Sequence, residues 1–334
     1  MAVHPGENTQ GWAAKLPKSC NVSELLALFA VIPAQCVMAM RFLMIRRNSK
    51  LALVKFSLFG LALFGLAWFG LAPLYAQASE QSFIKTINLR DRLDLTITSG
   101  AGNIQISQGP PGRVRITGHV KANDWHPTDD RLRDIAARPP IQQNGNMIRV
   151  GSTEQLAHII IDYEIEAPAD SIIQASSSVG DIFDEGVGLN VHFNTGSGNI
   201  HAIGLKGSID VRSKEGDIEV EQNGQSEVKV VSGTGNLELR NLHGALRAAT
   251  DAGSIKVSGV PASDWSVHAG KGDVELTLGS AACTIDAQTG AGLVHSDLRV
   301  ERTNGTDPRH LAGTINGGGH NVSVQVGEGE IRIL

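Results

Sequence analysis

The sequence predicts an all-β fold, a parallel β-solenoid whose coils of about 18 residues each hold two short strands. Three observations predict it. First, 38 of 334 residues are glycine while only 4% are aromatic, a balance that suits a chain turning often and burying small and branched aliphatics. Second, a Gly–small polar–aliphatic tripeptide recurs as Gly180-Asp181-Ile182, Gly198-Asn199-Ile200, Gly216-Asp217-Ile218, Gly235-Asn236-Leu237, Gly253-Ser254-Ile255 and Gly272-Asp273-Val274, with a weaker copy at Gly292-Leu293-Val294. Successive glycines are 18, 18, 19, 18, 19 and 20 residues apart. Third, the residues after each glycine alternate between apolar and polar, as in a half-buried strand.

The alternation gives each coil two strands. Ile218 and Val220 oppose Glu219 and Glu221, and Leu237 and Leu239 oppose Glu238 and Arg240. About nine residues on, a second strand presents the inward pairs Val191/Phe193, Ile209/Val211, Val228/Val230, Leu246/Ala248, Trp265/Val267 and Cys283/Ile285. A unit this small cannot bury its own apolar face, so it must stack on its neighbours. Glycine takes φ > 0 at the corner, and the following Asx or Ser side chain can bond nearby backbone amides. Down the stack that second position reads Asp181, Asn199, Asp217, Asn236, Ser254, Asp273, with no two aspartates adjacent. Rungs lie about 4.8 Å apart, so neighbouring carboxylates would repel and the alternation is favoured.

Along the chain, residues 1–43 read as an upstream extension from a start assigned too early, or as an extra apolar segment over Leu25–Met40. Residues 44–78 read as a signal peptide: Arg46, Arg47, Lys50 and Lys55 precede the apolar run 56–75, and Ala76-Gln77-Ala78 is an A-x-A site with cleavage expected before Ser79. The competing reading is an uncleaved anchor, because about twenty apolar residues can span a bilayer. Residues 79–170 form an irregular β capping unit. Its strands lie at Leu93–Ser107, which contains Gly102-Asn103-Ile104, and at Arg113–Val120, Met147–Val150 and Ile159–Glu166. Its one short helix runs from the N-cap Thr128 to Ala137, with Pro139-Pro140 as the stop. Residues 171–334 are the solenoid repeats, ending in a last rung at Val322-Ser323-Val324 and Gly329-Glu330-Ile331. An atypical terminal unit is expected, since an exposed solenoid end needs capping.

Ile161-Asp162-Tyr163-Glu164-Ile165, with Pro168 just after, followed by the run of Gly-Asp-Ile and Gly-Asn-Ile turns, resembles the bacterial putative-adhesin family of envelope β-strand-repeat proteins, much of it labelled a domain of unknown function. The likeness covers roughly residues 86–334. It implies a β-solenoid outside the cytoplasm, an adhesin role and no established catalytic residues.

No chemical centre emerges from the residues. The densest acidic group is Asp181, Asp184 and Glu185; as a carboxylate pair it would suit sugar chemistry, and as turn capping on a solvated corner it needs no function. Calcium-binding coils use a nonapeptide rich in Gly-Gly and Asp, whereas this step is twice as long and Asp is often replaced. His158, His192, His201, His243, His268, His295, His310 and His320 form no H-x-H or H-x₃-H group, and His192, His201 and His268 fall on outward strand positions. Cys283 shares the parity of Ile285 and reads as a small core residue; Cys20 and Cys36 lie in the N-terminal region, so the main domain holds no disulfide pair and no zinc spacing. After residue 78 the aromatics are Phe83, Trp125, Tyr163, Phe183, Phe193 and Trp265, too few for a sugar-stacking platform. There is no G-x₄-G-K-[ST] loop and, at a net charge of −5, no concentrated basic surface for nucleic acid.

The expectation is therefore a non-enzymatic exported envelope protein, adhesin-like, with no catalytic, cofactor-binding or metal residues and no cofactor. Its partner would be an envelope protein or surface ligand, and it would meet the membrane only through residues 56–75 if these are retained. The alternatives are a carbohydrate-active β-helix lyase or hydrolase and a membrane-anchored envelope-stress component.

Overall fold

The computed structural model describes residues 80–122, 129–151 and 158–334. The signal or anchor segment, the Thr128 cap and the loop holding Trp125 lie outside the described residues. Among the described residues no helix is long and apolar enough to cross a membrane.

The chain opens with β1 (Glu80–Asn88), β2 (Asp94–Ala101), β3 (Ile104–Gln108) and β4 (Arg113–Ala122). Helix α1 (Asp129–Ala137) follows, then β5 (Ile141–Asn144), β6 (Met147–Gly151) and β7 (Ile159–Ala167). The regular body runs through β8 (Ile172–Val179), β9 (Ile182–Glu185), β10 (Asn190–Ser197), β11 (Ile200–Leu205), β12 (Ser208–Glu215) and β13 (Ile218–Gln222). It continues as β14 (Val228–Thr234), β15 (Leu237–Leu242), β16 (Leu246–Ala252), β17 (Ile255–Gly259), β18 (Trp265–Lys271) and β19 (Val274–Thr277). The last strands are β20 (Cys283–Ala291), β21 (Val294–Ser296), β22 (Val300–Arg302), β23 (His310–Ile315), β24 (His320–Glu328) and β25 (Ile331–Ile333).

These strands form two sheets. The 12-stranded sheet runs β1-β4-β7-β3-β9-β11-β13-β15-β17-β19-β25-β21, and the 13-stranded sheet runs β22-β23-β20-β24-β18-β16-β14-β12-β10-β8-β2-β6-β5. Within the body every neighbour is parallel, and the register is the one the repeat predicts, as in Val191↔Ile209 and Ile200↔Ile218, apart from shifts after Ala202 and after Leu239. The predicted inward residues are buried between the two sheets, from Ile104 and Ile106 through Phe193 and Val211 to Val267. Each such aliphatic contributes about 1.5–3 kcal/mol on burial, which is why parity is kept over so many coils.

Rung order departs from chain order at both ends. The rung β2–β3 lies between β6–β7 and β8–β9, so a later segment sits outside an earlier one. At the far end β24–β25 lies between β18–β19 and β20–β21. The segment expected as the last rung is thus the one before last. The physical reason is burial: β24 and β25 carry Val322, Val324, Val326, Ile331 and Ile333, which need apolar neighbours on both sides. β21 offers only a half-buried Val294 and Ser296, and suits an end. The same rung corrects one register: Trp265 aligns with Val322 and then with Ile285, so the inward pair is Ile285/Ala287, two residues beyond the expected Cys283/Ile285. Cys283 is nonetheless inward and buried, because a shift of two preserves parity.

Antiparallel strands cover the ends: β1 on β4 and β4 on β7 at the start, β5 on β6 beside them, and β23 on β20 with β22 at the finish. Helix α1 packs over β1 and β4 and buries Leu132.

At the corner between the two strands of a rung, glycine is required by space as well as by φ. A Cβ on Gly235 (φ +156) would meet the carbonyl oxygen of Gly216 at 2.0 Å. We therefore expect Gly235→Ala to cost at least ~2 kcal/mol, against less than ~0.5 kcal/mol for Gly100→Ala, where nothing lies within 4 Å of the added atom. Denaturant unfolding of the two variants beside the parent checks this.

Candidate functional site

The corner that follows each glycine carries a polar ladder that repeats from rung to rung. In rung order, the side-chain oxygen of one Asx accepts a hydrogen bond from the backbone N–H of its counterpart on the next rung. Asp162 Oδ1 receives Asn103 N–H at 2.8 Å, Asn103 receives Asp181 at 2.9 Å, and Asp181 receives Asn199 at 2.7 Å. The ladder continues through Asn199 to Asp217 (2.9 Å), Asp217 to Asn236 (2.7 Å) and Asn236 to Ser254 (3.0 Å), and resumes from Asp273 to Glu330 (2.8 Å). The Asp–Asn alternation expected from six positions extends to Asn103 and Asp162, whose places depend on the out-of-order rung. An amide between two carboxylates removes like-charge repulsion and can donate as well, as Asn236 Nδ2 does to Asp217 Oδ1 at 3.2 Å.

A second column lies just inside. Three residues before most corner glycines stands a buried hydroxyl residue that donates to a corner carbonyl on the adjacent rung. Thr195 bonds Gly180 O at 3.0 Å, Ser213 bonds Gly198 O at 3.1 Å, Ser232 bonds Gly216 O at 3.1 Å and Thr250 bonds Gly235 O at 3.1 Å. Sequence reasoning stopped at two inward residues per strand and missed this third one. The signal was present as [ST]-x-x-Gly ahead of most repeats, with Ala269 before Gly272 and Val326 before Gly329 as exceptions.

Beside the Asx corner, the outer face of the 12-stranded sheet carries a groove of about 400 Å³ lined by His201, Asp217, Glu219, Asn236, Glu238 and Lys256. Two of its three carboxylates, Glu219 and Glu238, are ion-paired. Glu219 is held between His201, whose Nδ1 lies 2.9 Å from Oε2, and Arg240, which also contacts Glu238 at 3.1 Å. Phe183 stacks on the His201 ring at 5.0 Å between centroids, with planes 3° apart. The repeat register aligns Phe183, His201 and Glu219 on successive rungs, but their contacts were not drawn from sequence, because side-chain conformation decides which outward neighbours meet.

The acidic group weighed from sequence is split by the fold. Asp181 belongs to the Asx ladder, Asp184 points inward between Ile106 and Ala202, and Glu185 is exposed on the opposite face of the same strand. A carboxylate pair flanking one glycosidic bond needs both groups in one space, and residues 184 and 185 point to opposite sides. Asp184 also corrects the expectation of a solvated corner: it caps the turn through Val187 N–H at 3.2 Å, but it is only 1% exposed and its Oδ2 has no partner. Burial pushes its carboxyl well above the usual range, outweighing the Val187 hydrogen bond, and Glu185 adds to the rise. Cys283 is likewise pushed up by burial, away from nucleophile chemistry.

The histidines are dispersed along both sheets and the terminal loops. His192 lies 3.6 Å from Asp210, His295 2.8 Å from Asp297, His310 2.8 Å from Asp286 and His320 3.9 Å from Asp264, while His243 bonds Asn241 O at 2.9 Å. His268 is exposed on β18, and His158 precedes β7. Among the described residues no group of three or more His, Cys, Asp or Glu is placed to hold a metal ion. Trp265 is buried with its indole N–H donated to Gly244 O at 2.8 Å, and Tyr163 and Phe193 are buried as well.

The sign of the Asp184 effect is definite. Its folded-state pKa is raised, so the unfolded chain ionises first and stability falls as pH climbs from the ordinary carboxylate range toward the folded value. Asp184→Asn keeps an acceptor for Val187 and removes the ionisation. Relative to the parent it should gain about 1.4 kcal/mol per pH unit across that window, measured by urea unfolding from pH 4 to pH 8. Parallel pH profiles for the two proteins would contradict it.

No curated protein matches the chain. Among solved structures, a "putative adhesin" from Bacteroides fragilis NCTC 9343 is 14% identical, with 76% of this chain and 97% of that one covered at a TM-score of 0.35. A "putative adhesin" from Parabacteroides merdae ATCC 43184 is 12% identical, covering 76% and 96% at a TM-score of 0.29. A "putative lipid binding protein" from Parabacteroides distasonis ATCC 8503 is 12% identical, covering 76% and 97% at 0.27. The family described as Toastrack DUF4097 matches residues 85–334, three quarters of the sequence and nearly every described residue, and the chain belongs to that family.

Proposed function

We propose that this chain is a non-enzymatic, exported protein of the bacterial cell envelope that works as a contact surface, in the manner of an adhesin. The observation that carries the reading is where the polar side chains are spent. The Asx of each corner and the hydroxyl inside it bond the neighbouring rung, and Glu219, the most enclosed carboxylate of the groove, is tied to His201 and Arg240. A general acid or base must be free to exchange a proton with a substrate, whereas these groups brace the scaffold. What the scaffold presents outward is two long parallel sheet faces of mixed charge, a form suited to broad, rim-type contact. Export is supported by the basic stretch, the apolar run 56–75 and Ala76-Gln77-Ala78 just ahead of β1.

The test sets contact against catalysis on one protein. The full chain is incubated with isolated envelope polysaccharide and with whole envelope fractions, beside Glu219→Gln and the double variant Glu238→Lys, Lys256→Glu. The reading predicts retention on envelope fractions that the double variant lowers at least tenfold, with no release of reducing or unsaturated sugar ends. Sugar release that disappears in Glu219→Gln would replace it with the glycan-cleaving alternative.

A further inference from the structure

Parallel solenoids end in open sheet edges, and proteins commonly protect such edges by making the last strand very short. Three of the four edges here follow that rule: β5 has four residues, and β21 and β22 have three each. The fourth does not. β1 has nine residues, pairs along its whole length with β4, and among the described residues has no strand on its other side. At its midpoint stands Ile84, 61% exposed and the most exposed of the large hydrophobic side chains among the described residues.

The sequence of this edge is complementary to itself. We infer that β1 is a homotypic docking edge, pairing antiparallel with β1 of a second copy about a two-fold axis through Ile84. Ile84 is the fifth of the nine residues, so this register alone pairs all of them. It sets Ile84 against Ile84, and on the same face Ser82 against Thr86 on either side, a β-branched pair flanked by hydroxyl pairs of the kind that stabilise antiparallel ladders. Glu80 falls opposite Asn88, with Arg90 of the second copy two residues beyond, at both ends of the pairing. Lys85 falls on the other face opposite the buried Phe83, where its exposed side chain reaches solvent and meets no like charge. A shift of two residues toward the C-terminus would instead set Lys85 against Lys85. The occupant is therefore a second copy of this chain, and the two 12-stranded sheets become one across the axis.

The register makes the test specific. The full chain, with Cys20→Ser and Cys36→Ser as background, is oxidised in intact cells; Cys283 is buried and stays in place. Ile84→Cys should shift most of the chain to twice its mass on a non-reducing gel. Ser82→Cys alone and Thr86→Cys alone should stay single, whereas the two co-expressed should cross-link, and adding Ile84→Lys to both should lower that product at least tenfold. Each position is exposed or at a strand edge, so folding is checked by an unchanged melting midpoint. A monomeric Ile84→Cys chain would overturn the proposal, showing the edge free or covered by this chain's own residues. So would a cross-link of any other mass, which would assign the edge to a different protein, or equal cross-linking of Ser82→Cys alone.

Discussion

From Gly180 onward, each corner glycine lies so close to the carbonyl of the glycine on the neighbouring rung that no side-chain carbon fits between them. At Gly216, Gly235 and Gly253 an added Cβ would lie 2.0 Å from that oxygen. This approach sets the lateral position of one rung on the next, and two sets of bonds hold it. On the outer side the Asx oxygen takes the next backbone N–H; on the inner side a buried Ser or Thr hydroxyl reaches a corner carbonyl. A net value of about 1 kcal/mol per bond is small, yet the pattern repeats at nearly every rung and leaves few corner groups unpaired. Stacked inward positions and the apolar core they form follow once the corners are aligned.

The ends of the stack obey the same constraint but use the chain in a different order. Placing β2–β3 inside β6–β7, and β24–β25 inside β20–β21, ties each end of the solenoid to a segment distant in sequence. Solenoids otherwise contact only nearest neighbours and fray rung by rung from their termini. Here a terminal rung cannot leave without breaking the antiparallel strands that cover it, so end fraying is linked to loss of the cap. The turn Asn316-Gly317-Gly318, with all three residues at positive φ, carries the chain from β23 across β20 to β24.

Gly235→Ala tests how much of this was legible in the sequence, because the repeat itself was read from those glycines. Period, parallel pairing and inward parity were readable since each is a property of local spacing. The helix was readable from its charge pattern and Pro139-Pro140. Rung order was not, because a step of 18 to 20 residues fits a rung beside its predecessor or one place away equally well. Only the larger apolar content of β24 and β25 distinguishes the two, and it does so through tertiary packing. Asp184 was misjudged for a related reason: its turn motif resembles a solvated corner, while its parity, shared with Ile182, places it in the core. The Phe183–His201–Glu219–Arg240 chain spans four rungs, and the side-chain conformations that close it are not a property of the repeat.

Backbone amide exchange at the corners tests the central claim most directly, since these residues are turns and would exchange freely if the Asx oxygens did not hold them. Asn199, Asp217, Asn236 and Ser254 should exchange about as slowly as the strand amides beside them. Asp273 follows Ser254 in the stack and among the described residues has no side-chain acceptor for its amide, so it should exchange fast. Fast exchange at all five corners would contradict the account.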